Sequence, residues 1–286
     1  MSLAFFASEP YMHSIKHRLM RGSSLIRARQ IAEYLGAKYN PVSGYEDDVC
    51  IYVKPKIKPS DEMLSRSYVD VIDDRVYIQW LRKNPRMSGI IASQYSYNFL
   101  KEILKLPNKI LFIPQQHCNF ERFFRNRKEI INVGISGTPN AFQYPIEEVR
   151  KKMENIGLRL LTNFDFQTRE DVVDFYKNVD IQIVWDTKDR FFKNPLKIIN
   201  AASFGIPTIG FPQKGYQEVE GHYIQVGSID QLIDETEKLK NPELYERATR
   251  GLLQMAESYH ISKIAEMYKQ LDFVSRPVRD AVAKSG

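Results

Sequence analysis

The residues with most chemistry to offer sit close together in the second half of the chain. Lys193-Asn194-Pro195 is followed by Lys197 and Asn200 and, after two turns, by Glu218. Leu196, Ile198, Ile199, Ala201 and Ala202 give 196–204 the pattern of an amphipathic helix, with Pro195 at its start and Gly205 just past its end. A helix start presents unpaired N–H groups and the positive end of a dipole, and Lys197 adds a point charge one turn in. Such a place seats an anion, a phosphate above all. Arg190, on the loop just before it, is a second cation. The short apolar run 208–211 reads as a buried strand, and strand carboxyl ends are where α/β proteins hold nucleotides. Gly137-Thr138-Pro139-Asn140 follows another apolar run, 130–136. A small-residue turn there lets a phosphate or sugar approach the backbone closely.

Two further groups stand apart. His117 and Asn119 follow the apolar run 109–114, again at a strand's carboxyl end. An imidazole there either carries protons or, as is commoner, simply holds structure by hydrogen bonds. The adjacent pair Asp73-Asp74 could bind a metal or act as acid and base; solvated strand-end carboxylates are the commoner case. No Asp-x-Asp and no Cys/His spacing typical of zinc occurs, so no metal site is expected.

The elements that must position these groups alternate in type. Strands are expected at 3–7, 48–54, 69–72, 89–93 and 109–114, with helices at 25–35, capped by Ser23 or Ser24, and at 95–106. The rhythm then repeats. Strands at 130–136, 158–161 and 180–186 alternate with helices at 145–156 and 171–178, and helices follow at 229–239, 242–255 and 261–271. Strand and helix in turn mean parallel sheets with covered faces. The charged run 121–129 reads as a connector. The domains are therefore expected at 1–125 and 126–272, with a loose tail at 273–286.

Composition limits the partners. The chain has 286 residues, a formal charge of +6 and two cysteines, Cys50 and Cys118, too few for a disulfide framework. The positive balance favours an anionic partner. Its spread over several short groups speaks against a dedicated nucleic-acid binder. No apolar run of about 20 residues occurs, and the opening residues lack a secretory leader's features, so a cytoplasmic protein is expected, with peripheral contact to an anionic membrane allowed by the charge.

Several motifs carry a family resemblance. Asn200-Ala-Ala-Ser-Phe-Gly-Ile-Pro-Thr-Ile resembles the "E-A-x-A-x-G-x-P-V-I" block of nucleotide-sugar glycosyltransferases of the GT-B fold, and Gly215-Tyr-Gln-Glu218-Val-Glu-Gly221 is similar to their "G-G-x-x-E-v-v-x-x-G". Tyr223–Ile233 resembles the following "G-x-L-V-x-x-x-D-x-x-x-L", and Gly22–Ala37 resembles their acceptor loop and helix. The family's paired glutamates fall on Phe192 and Asn200, so the chain departs from it there. It looks closer to a "P-x-N-K-l-x-N-A" variant of polysaccharide-type transferases. The resemblance implies two Rossmann-like, doubly wound parallel-sheet domains with a cleft between them. It also implies a metal-independent, retaining transfer of a hexose from a nucleotide-diphosphate sugar to a glycan or lipid-linked saccharide. Donor contacts would come from Gly137, Thr138, Arg190, Lys197, Asn200 and Glu218, the last on the ribose, and His117 and Asn119 would face the cleft as the catalytic candidates. No cofactor beyond the donor itself is implied. An epimerase or hydrolase on the same fold, using Asp73, Asp74 and His117, and a non-catalytic binding protein are the alternatives.

Overall fold

The computed structural model describes residues 2–8, 22–72, 74–124, 129–188 and 191–272. Strands β1 (Leu3–Ala7), β2 (Lys38–Tyr39), β3 (Val49–Val53), β4 (Ser67–Asp70), β5 (Ser88–Ile91) and β6 (Ile110–Phe112) form a parallel sheet in the order β2-β1-β3-β4-β5-β6. Strands β7 (Asn132–Ser136), β8 (Arg159–Asn163), β9 (Ile181–Val184), β10 (Thr208–Gly210) and β11 (Ile224–Gln225) form a second, in the order β11-β10-β9-β7-β8. In β1, β3, β4, β5, β7 and β9 every residue is buried, and β1 and β3 accordingly read as continuous apolar runs rather than alternating ones.

Helices cover both faces of each sheet. In chain order they are α1 (22–35), α2 (Val76–Lys83), α3 (94–103), α4 (Ile146–Asn155), α5 (Arg169–Asn178), α6 (Leu196–Ser203), α7 (Ile229–Lys238), α8 (Pro242–Thr249), α9 (Leu252–Glu257) and α10 (Ile261–Lys269). Ala28, Ile31 and Ala32 of α1 share one core with Phe5, Ile51 and Tyr68 of the first sheet, and Ile261, Ile264 and Tyr268 of α10 join them. The last helix thus crosses back and completes the first domain's core. In the second domain Val149, Met153, Leu232 and Ile233 cover one face, and Tyr176, Ala201 and Phe204 pack over the other.

Some expectations are corrected. Ser23 and Ser24 do not cap α1 but lie inside it; Ser24 is helical, with φ −65° and ψ −40°, and makes no capping bond. Within the same helix Arg27 is wholly buried and its Nε donates to Asp70 of β4, whereas Arg29 stays outside against Glu33. The helix expected over 242–255 is two helices. Gly251 takes φ 82°, a left-handed conformation that glycine reaches without strain and that ends a helix. Helix α2 was not foreseen. The tail from 273, and Asp73 and Arg190 among the candidate residues, lie outside the described residues. Among the described residues no helix is long and apolar enough to cross a membrane, and no cluster of His, Cys, Asp or Glu could hold a metal ion.

Candidate functional site

The carboxyl edge of the second sheet gathers most of the predicted residues. β7 ends at Ser136 and the chain turns at Gly137, whose φ of 129° lies in the region glycine favours. Helix α6 starts opposite this turn, immediately after Pro195, and sends Lys197 across to it. A Cβ built on Gly137 would lie 2.7 Å from Lys197 Nζ, so the ammonium rests directly over the bare glycine backbone. Thr138, one residue on, is exposed beside it. Cation, helix start and open backbone therefore meet at one point, which is the arrangement that holds phosphate.

Asn200 lies in the same helix but is spent on structure. It is buried, and its Oδ1 accepts from the backbone N–H of Cys118 at 2.9 Å, across from the other domain. The Tyr176 hydroxyl of α5 donates to the Lys197 carbonyl at 3.5 Å, and burial raises its pKa well above the ordinary tyrosine value. Asn200 thus ties α6 to the segment after β6. Where the related motif places a carboxylate, this chain needs a neutral group that accepts an N–H, and the position supplies it.

His117 and Asn119 lie on the segment between β6 and the connector. His117 is 3 % exposed, its Nδ1 accepts from Asn119 N at 3.2 Å, and its ring meets that of His260 edge to face at 5.5 Å. Burial, helped by His260, pushes its pKa down to about 3, so at neutral pH it is an uncharged acceptor. Asn119 is fully buried; its Nδ2 donates to the carbonyls of Phe123 (2.9 Å) and Ser203 (2.8 Å), and its Oδ1 accepts from Phe123 N (2.8 Å). Its amide is consumed in fastening the connector to the end of α6. Both side chains are thus engaged with the protein's own backbone.

Glu218 closes the other side of the cleft. It sits in a tight helical turn, Lys214–Val219, packed against the start of α3, where Ser93 caps the helix by accepting from Ser96 N. Both carboxylate oxygens are buried without a hydrogen-bond partner, although the backbone N–H groups of Glu218 and Gln94 lie near enough to ease the charge slightly. Burial dominates and pushes its pKa up to about 7. A buried, unpartnered carboxylate is costly unless something arrives to donate to it.

Two features of this edge were not read from the sequence. Asp186, at the end of β9, is 1 % exposed and pairs with Lys193 through Oδ2, while its Oδ1 accepts from Gln143 Nε2 at 2.6 Å. Gln213 donates to the Asp186 carbonyl, so one carboxylate anchors β9, the loop before α6 and the turn after β10. The signal was present as Asp186 and Lys193 seven residues apart on a loop, which has no fixed geometry to test. Phe191 reaches into the first domain, with ring contacts to Phe99 (4.6 Å) and Tyr95 (6.0 Å), and its carbonyl accepts from Ser96 Oγ at 2.6 Å. The cleft is thus bridged at its floor by Cys118–Asn200 and at its rim by Phe191.

Comparison with known proteins agrees with this architecture. No protein-family model matches the chain, and no curated protein matches its sequence. Solved structures do. A glycosyltransferase from Rickettsia africae ESF-5 is similar at TM-score 0.61 with 8 % identity, over 94 % of this chain and 97 % of that one. Anabaena Alr3699/HepE in complex with UDP and glucose gives TM-score 0.55 and 10 % identity over 95 % and 100 %. The pneumococcal O-GlcNAc transferase GtfA, in complex with UDP and GlcNAc, gives TM-score 0.53 and 13 % identity over 77 % of this chain. This chain spans 56 % of the GtfA chain. Two parallel-sheet α/β domains with these neighbours constitute the GT-B fold.

Proposed function

We propose that this protein transfers a sugar, of the hexose type, from a nucleotide-diphosphate donor held by the second domain to an acceptor entering the cleft. The observation that carries the reading is the seat formed by Lys197 Nζ over Gly137 at the start of α6. As the bond to the sugar breaks, negative charge grows on the diphosphate, and a fixed cation with backbone N–H groups lowers the barrier most where water is excluded. Glu218 supports the reading. Ribose hydroxyls donating to its two oxygens would replace the missing partners. Thr138 stands beside the diphosphate. The donor binds without a resident metal or other cofactor, because Lys197 supplies the charge. His117 and Asn119 hold the segment after β6 in place and take no proton. The acceptor is a glycan or lipid-linked saccharide, the anomeric configuration is retained, and the enzyme works in the cytoplasm.

The test is a thermal-shift panel of UDP, GDP, ADP and their sugars. One nucleotide should raise Tm by mass action, and Lys197→Ala should abolish the rise. A panel in which no nucleotide moves Tm, or an undiminished shift in the variant, refutes the seat. Release of nucleotide that depends on added acceptor then separates transfer from hydrolysis, epimerisation and simple binding.

A further inference from the structure

A polar cavity lies at the opposite, amino-terminal edge of the second sheet. It has a volume of about 100 Å3 and is lined by Thr208 at the start of β10, His222 and Tyr223 ahead of β11, and Arg247 and Arg250 at the end of α8. Two independent features mark it. Thr208 is 2 % exposed, and its Oγ1 has no hydrogen-bond partner. Among the described residues no carboxylate holds the Arg247 or Arg250 guanidinium, whereas Arg122, Arg150 and Arg169 all close ion pairs. No acidic residue lines the space.

The local backbone explains how the cations come together. Gly251, at φ 82°, ends α8 and turns the chain under the sheet, leaving Arg247 and Arg250 on one side; Gly221, also at φ 82°, places His222 on the other. Arg247 and Arg250 are exposed and flank the cavity, so an anion within it would meet two cations and no carboxylate. Guanidinium forks match tetrahedral oxyanions, and donation to a charged oxygen is the strong form of the hydrogen bond. The negative end of the α8 dipole opposes an anion here, a weak effect at an exposed terminus. The space suits one oxyanion and is too small for a nucleotide.

We propose that this cavity binds a phosphate group, either free or at the end of a small metabolite, separately from the donor seat and whatever the fate of the proposed transfer. The probes are inorganic phosphate and glucose 1-phosphate, titrated calorimetrically into the full chain at fixed ionic strength, with and without UDP. One phosphate per chain is expected, undisturbed by UDP. The Arg247→Gln/Arg250→Gln double variant should bind at least tenfold more weakly and Thr208→Val several-fold more weakly, each with an unchanged circular-dichroism melt. Tighter binding of glucose 1-phosphate than of phosphate assigns the metabolite; equal binding assigns the free ion. No saturable binding in the wild type, or a double variant that binds as well, overturns the proposal.

Discussion

Glu218→Gln isolates one buried charge. The carboxyl has a pKa of about 7 in the folded protein against 4.5 ordinarily, because its oxygens are buried without partners beside the start of α3. The folded state therefore holds the proton more tightly than the unfolded chain. Below the ordinary value both states are protonated, and the side chain has no pH-dependent effect. Between there and neutrality the unfolded chain ionises first, so stability falls as pH rises. Above pH 7 the full penalty applies, on the order of 3 kcal/mol at about 1.4 kcal/mol per pKa unit. Glutamine stays neutral throughout. The variant should match the wild type near pH 4.5 and then pull ahead, by up to roughly 6–10 °C in Tm at pH 8 for a chain of this size. Parting of the Lys214–Val219 turn from α3 would hydrate the carboxylate before global unfolding, which makes that figure an upper bound. Differential scanning calorimetry of both proteins from pH 4.5 to 8 measures it. A Tm gap that is flat with pH, or that favours the wild type at alkaline pH, refutes the account of Glu218 as a buried, unsatisfied acid.

Three other perturbations test the remaining contacts. Asp186→Asn strands the Lys193 ammonium, whose side chain is only 16 % exposed, and should lower stability by roughly 3 kcal/mol in urea denaturation. Gly215→Ala would bring a Cβ to 2.0 Å from the Lys193 carbonyl oxygen, backbone against backbone with no rotamer to relieve it. It should lower stability by roughly 1–3 kcal/mol and blunt the nucleotide-induced thermal shift as the loop before α6 moves. Asn200→Ala leaves the Cys118 N–H without its acceptor and should cost about 1–3 kcal/mol in stability while nucleotide affinity measured by calorimetry holds. Lost affinity at unchanged stability would instead put Asn200 on the donor.

The sequence by itself determined the two runs of strands and helices, because buried parallel strands are apolar over most of their length and the helices between them carry one apolar stripe. It also marked the residues of the proposed anion seat. Pro195, Lys197 and Gly205 act within one helix, and Gly137 announces its turn by its own lack of a side chain. What only the tertiary structure decided concerns contacts between distant segments. Asn119 is tied to Ser203, Asn200 to Cys118, Asp186 to Lys193 and Gln143, and Arg27 to Asp70. A polar residue at a strand end has the same local signature whether it meets a substrate or the backbone of the other domain. Burial makes the difference, and burial depends on how the whole chain closes around the residue.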